Sequence, residues 1–217
     1  MHPKYNHIHT GGQQNAADII SRHREHYNSP NRIAQYLIRS FKTSLLSLVS
    51  KTSARTLFEV GCGDGHISLF LAESGYQTGG GDINPVLVEQ ANIDAAERNL
   101  TNATPFKVFD IYSYDFSNIH ADMTLCCEVL EHLPDPLLAL DRITEINTEL
   151  FLFSVPAEPI WRILNMCRLK YLSDFGNTPG HINHWGYLGF RKFLERWFTV
   201  LHYVKPLPYI VVLCKRR

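Results

Sequence analysis

The chain has 217 residues, a length that fits one domain with a full-sized core and a small helical extension. Its 21 basic residues balance its 21 acidic ones, so no overall field steers it toward nucleic acid or an anionic membrane. Five cysteines with no CxxC spacing argue against a disulfide framework and for a reduced, cytoplasmic setting, and no apolar run approaches the roughly 20 residues of a membrane span.

Met1 to Gly12 is polar, with His2, His7 and His9, and reads as a loose terminus rather than a metal-affinity tag. Gln13 to Tyr27 is compatible with a helix. Ser29-Pro30 offers an N-cap and N1 pair for a second helix carrying Ile33, Tyr36, Leu37, Ile38, Phe41, Leu45, Leu46 and Val49. Residues 1–52 are therefore read as a tail and helical cover, and residues 53–217 as the main domain. Ala54 to Val60 is apolar and β-branched enough for a short buried strand. Gly61, Gly63 and Gly65 follow, and then Ile67, Leu69, Phe70 and Leu71 at helical spacing. Glycine there lets the backbone turn sharply and lets a ligand approach where a Cβ would collide. The helix behind it directs unpaired N–H groups into the turn.

A strand, a glycine turn and a helix are shared by several nucleotide sites. Here the glycines alternate as GxGxG, and His66 stands where a dinucleotide fingerprint has its third glycine. No Gly-Lys-Ser/Thr follows to cradle a triphosphate. Glu59, directly before the strand's last residue, suits a ligand carrying an ammonium group. The run Glu59-Val60-Gly61-Cys62-Gly63-Asp64-Gly65 resembles the first motif of the class I S-adenosylmethionine-dependent methyltransferases. The resemblance extends from about Arg55 to the C-terminus. It implies S-adenosyl-L-methionine as cofactor, held by Glu59, Gly61, Cys62, Gly63 and Gly65. It also implies a doubly wound α/β fold with a seven-stranded, mostly parallel sheet.

Tyr76 to Asp82 reads as the second strand. Asp82 falls 21 residues after Gly61, the reach at which a carboxylate meets a ribose diol, with Ile83 beside it. Asn84-Pro85 caps a helix to Asn99. Phe106 to Asp110 is a third short strand, and the resemblance places Asp110 and Ile111 near the adenine. Asp122 to Cys127 is the fourth strand and runs into Glu128-Val129-Leu130-Glu131-His132-Leu133-Pro134-Asp135-Pro136. Asp135-Pro136 starts another helix, and Glu149 to Val155 makes the fifth strand. Pro156 to Trp185 breaks this alternation and reads as a lid, spanning 156–186. A helix from Tyr187 to Trp197 precedes two closing strands, Thr199 to Tyr203 and Tyr209 to Cys214, the antiparallel ending usual in the family.

Methyl transfer to a hydroxyl needs in-line positioning and removal of a proton. A phenol of pKa ~10 supplies its anion at neutral pH at a cost of roughly 4 kcal/mol, so bases or metal spacing are sought at the mouth. Glu128, Glu131 and His132 stand at i, i+3 and i+4, which on one helical turn would share a face. With His181 they form a candidate site for Mg²⁺, Mn²⁺ or Zn²⁺. The ExxEH segment with a later histidine resembles two groups of metal-assisted enzymes. These are the O-methyltransferases of ubiquinone synthesis and the 2′-O-methyltransferases of small-RNA ends. In the metal-free route, which the sequence favours because such acidic segments recur in ion-free relatives, His181 or His184 serves as general base. The catalytic candidates are thus His181, His184, Glu128 and His132, and Glu128 is also a cofactor contact. Trp161, Trp185 and Tyr187 could line an aromatic pocket, and Tyr27 and Tyr36 could cover the cofactor. The acceptor is expected to be a small molecule, most simply a hydroxylated aromatic metabolite. An RNA end and a silent cofactor-binding partner subunit are the alternatives. Oligomeric state is left open.

Overall fold

The computed structural model describes residues 15–27 and 29–217. The histidines His2, His7 and His9 and the side chain of Tyr27 lie outside the described residues. Seven strands form one sheet: β1 Thr56–Val60, β2 Gln77–Asp82, β3 Lys107–Val108, β4 Met123–Cys127, β5 Leu150–Pro156, β6 Phe198–Val204 and β7 Tyr209–Arg216. Their order is β3-β2-β1-β4-β5-β7-β6. The first five run parallel, and β7 is inserted antiparallel between β5 and β6. This is the doubly wound α/β arrangement expected. The chain reverses direction across the sheet between β1 and β4, where such sheets bind ligands.

Helices α1 Ala16–Tyr27, α2 Arg32–Val49, α3 His66–Glu73, α4 Pro85–Glu97, α5 Pro136–Ile143, α6 Ile160–Cys167 and α7 Tyr187–Leu194 cover the two faces. One apolar layer joins α2 and α3 to the sheet through Phe41, Leu45, Leu71, Val211 and Leu213. The other joins α5 and α7 through Leu140, Phe151, Phe153, Phe190 and Phe198. Phe41 is fully buried and stacks on Tyr209 at 4.2 Å, burial that stabilises by roughly 1.5–3 kcal/mol.

Several sequence expectations need correction. Ser29-Pro30 does not start α2: Asn31 is its N-cap, accepting from the amides of Ile33 and Ala34. The N-cap role goes to Asn31 because its amide oxygen reaches two orphan N–H groups at once. Ile33 and Tyr36 do not pack, each being 70% exposed. The third strand shrinks to two residues. The lid segment is more regular than expected, since it holds α6 and a short 3-10 helix, Leu172–Asp174. Glu128, Glu131 and His132 share no helical face: Glu128 has φ +57°, and the helical turn is a 3-10 helix of Leu130–His132 alone.

Candidate active site

The glycine turn sits at the carboxyl end of β1. Gly61, Gly63 and Gly65 all have positive φ, at 78°, 53° and 77°, which only glycine adopts without strain. A Cβ on Gly61 would lie 2.4 Å from a Val129 methyl, and one on Gly63 would lie 2.6 Å from His23 Nε2. The loop after β4 therefore leans directly on the turn. Cys62 is buried, and its amide and that of Gly61 donate to Gly81 O, tying the turn to β2.

Asp82 ends β2 facing this turn. Its Oδ2 accepts from the Gly63 amide at 3.0 Å and its Oδ1 from the Asn84 amide at 2.9 Å. Ile83 beside it is 52% exposed, a large apolar side chain held out of the core. Asp110 caps its own turn through the Tyr112 amide at 3.0 Å, and Ile111 is buried.

Glu59 is 1% exposed and accepts from the Ser68 amide at 3.1 Å and from the Ser68 hydroxyl. Burial pushes its carboxyl up to about 8. An ammonium brought alongside would favour the carboxylate, so capture of such a ligand at neutral pH must expel a proton. Affinity for S-adenosylhomocysteine should therefore rise as the pH is raised toward about 8, and Glu59→Gln should flatten that rise. Calorimetry in two buffers of different ionisation enthalpy checks it, and binding that releases no proton would refute it.

The sequence reading missed a clasp over the turn. From α1, His23 Nδ1 lies 3.2 Å from Asp64 Oδ1, and Arg24 reaches Asp64 at 3.3 Å and Asp94 at 2.5 Å. Burial alone would raise the Asp64 carboxyl, but His23, with help from His66 and Arg24, outweighs it and holds it below the usual range. Asp64 within the glycine motif was the available signal: a 4% exposed acid there needs a cationic partner from elsewhere in the chain.

Beyond the loop that follows β4, Glu131, His132 and His181 offer ligand atoms all within 4.8 Å of one another. Glu131 is 1% exposed, and neither of its carboxylate oxygens has a hydrogen-bond partner. The His132 and His181 rings meet edge to face at 4.7 Å, and His132 Nδ1 lies 3.1 Å from Gly180 O. The amides of Ile182 and Asn183 donate to Glu131 O, fixing the His181 loop over the 3-10 turn. Glu128 stands outside the group, accepting from Ser154 Oγ at 2.8 Å. Both carboxyls lie well above the usual range, first through loss of water and, for Glu131, through the neighbouring Glu128 charge. His184 is also outside the group: its Nε2 lies 3.1 Å from an Arg162 nitrogen and 2.8 Å from Asn177 Oδ1. Trp185 packs against Phe190 and Phe193, and Lys205 lies over the Tyr187 ring.

Residues 58–147 match the family described as Methyltransferase domain. With this turn, this strand order and the acid closing β2, the chain is similar over that segment to the class I S-adenosylmethionine-dependent methyltransferases. Among curated proteins it is similar to the ubiquinone biosynthesis O-methyltransferase of Psychrobacter cryohalolentis, 30% identical over 105 residues. That alignment takes in 47% of this chain and 38% of the relative. The chain thus spans about two-fifths of the length of the first curated relatives it matches. The Coxiella burnetii enzyme of the same description is 28% identical over 185 residues, 77% of this chain and 76% of that one. Among solved structures, the Synechocystis magnesium protoporphyrin IX methyltransferase has the same fold. Its TM-score is 0.68 at 19% identity, covering 91% of this chain and 94% of that one. No helix among the described residues is long and apolar enough to cross a membrane.

Proposed function

We propose that this chain transfers the methyl group of S-adenosyl-L-methionine to an oxygen of a small-molecule acceptor, a hydroxylated aromatic or related metabolite. The observation that carries this reading is the Glu131–His132–His181 group, whose loop leans through Val129 on the glycine turn. In this reading the glycine turn and Glu59 take the methionine end of the cofactor, Asp82 the ribose, and Ile83, Asp110 and Ile111 the adenine. Within the tail and helical segment 1–52, helices α1 and α2 act as a cover, and 156–186 acts as a lid on the domain of residues 53–217.

The three clustered side chains fit a divalent cation, because a buried carboxylate with both oxygens unpartnered and two imidazoles are a donor set for Mg²⁺, Mn²⁺ or Zn²⁺. Glu131, His132 and His181 would hold it, and it would supply Lewis-acid stabilisation of the acceptor's ionised oxygen. The protein's own part is positional. The Asn183 side chain donates to Leu130 O and Leu133 O, holding the 3-10 turn against the lid segment. Trp161 stacks on His181 at 5.9 Å and keeps its ring toward His132. Without a cation, an imidazole of this group receives the acceptor's proton directly.

The test is transfer of label from methyl-labelled cofactor to a panel of catechols and phenols, beside an RNA with a free 3′ end. Label on a hydroxyl of the aromatic panel is the expected result. Label on the RNA alone would replace the acceptor class. Tight cofactor binding with no acceptor labelled, in the panel or in metabolite extract, would overturn methyl transfer in favour of a silent binding subunit.

A further inference from the structure

A cavity of about 330 Å³ opens between the first turns of α2, α6 and the β6–β7 connection. This lies within the ~300–1,000 Å³ range of pockets that hold small ligands. Leu37, Ile38, Trp161, Leu164, Pro208 and Tyr209 form its walls, which are mainly apolar. Ile33, 70% exposed, carries the apolar wall out into solvent. Arg168 also lines it, and among the described residues its guanidinium makes no ion pair. Apolar walls that end at an uncompensated cation are complementary to one ligand class: a slender apolar chain ending in an anion.

The inner wall belongs to the chemistry. Trp161 meets Tyr209 edge-on at 5.5 Å from one side and stacks on His181 from the other. Its indole donates to Thr178 Oγ1 at 2.8 Å, and Asn165 donates to Gly176 O at 2.9 Å and to Thr178 Oγ1 at 3.1 Å. The His181 amide in turn donates to Thr178 O at 3.0 Å. Two side chains that line the cavity therefore hold the loop that carries His181.

We propose that this cavity binds a single-chain anionic amphiphile, a fatty carboxylate or its like, with the chain along Leu37, Leu164 and Tyr209 and the anion at Arg168. The test is a binding measurement that needs no turnover. Decanoate titrated calorimetrically into the full chain, without cofactor, should bind saturably. Decanol should bind more weakly, and Arg168→Gln should cost decanoate about threefold to fivefold, as expected for a solvent-exposed ion pair. Ala34→Trp should fill the cavity from α2 and abolish binding, while Tyr36→Trp, on the exposed side of the same helix, should leave it unchanged. Cys167→Trp, from the α6 wall, repeats the block if the α2 variant does not fold. Binding that fails to saturate, that ignores both filling substitutions, or that is equally tight for decanol would overturn the proposal. Once an acceptor is known, decanoate that raises its KM identifies the chain as part of the acceptor. Decanoate that binds without changing KM identifies a separate ligand. Both results uphold the site, and neither depends on which acceptor the enzyme uses.

Discussion

Glu131→Gln should give a folded protein, at least as heat-stable as the parent, that has lost about a hundredfold or more in kcat/KM. The two halves of that expectation have one cause. Glu131 is buried with both oxygens unpartnered, so its carboxyl is a cost to the fold that a neutral, isosteric amide reduces. The same oxygens are the only carboxylate donors of the cluster, so their loss removes its charge. Thermal melts and kinetics on one preparation read both halves. Wild-type turnover in the variant would remove Glu131 from the mechanism, and a steep fall in Tm would make it structural instead. Chelator separates the two routes to the ionised hydroxyl. Lost activity, restored by Mg²⁺, Mn²⁺ or Zn²⁺, assigns a cation to the cluster. Full activity in chelator leaves the imidazoles as bases, and His181→Gln should then be the most damaging change.

Gly63→Val should abolish binding of S-adenosylhomocysteine. The residue has φ +53°, a conformation that a β-branched side chain resists, and its Cβ would stand 2.6 Å from the His23 ring. The Gly63 amide also donates to Asp82, so a shift of the turn carries that acid with it. Asp82→Ala should be milder, losing about 1.5–3 kcal/mol, or roughly tenfold to a hundredfold in Kd, for its charge-assisted hydrogen bonds. Calorimetry reads both, and affinity untouched by either change would withdraw the cofactor assignment.

The glycine turn was legible because its cause is local. Strand, positive-φ glycines and helix lie within Thr56 to Glu73, and each dictates its own residue types. The acidic segment was legible as chemistry but not as geometry. Its spacing suited a helix, yet the backbone at Glu128 turns left-handed and its carboxyl goes to Ser154, a partner 26 residues away. The sequence therefore proposed four ligands where the structure gathers three. Helix α6 was hidden by the prolines and glycines around it, although Trp161, Leu164 and Asn165 already carry a helical stripe. The clasp from α1 was out of reach for another reason. His23 and Arg24 look like surface residues until acids about 40 and 70 positions later are brought beneath them.

That clasp sets a clock on the site. Helix α1 lies over Gly63 and is fastened to Asp64 and Asp94 by the Arg24 guanidinium, with His23 beside it, both side chains one-third exposed. Such fastenings weaken as electrolyte screens them, whereas the apolar core beneath does not. Departure of spent cofactor should therefore quicken with added salt while global unfolding barely responds, which stopped-flow displacement beside a denaturant melt would show. Equal salt responses would mean that α1 does not hold the door, and turnover would then be paced elsewhere.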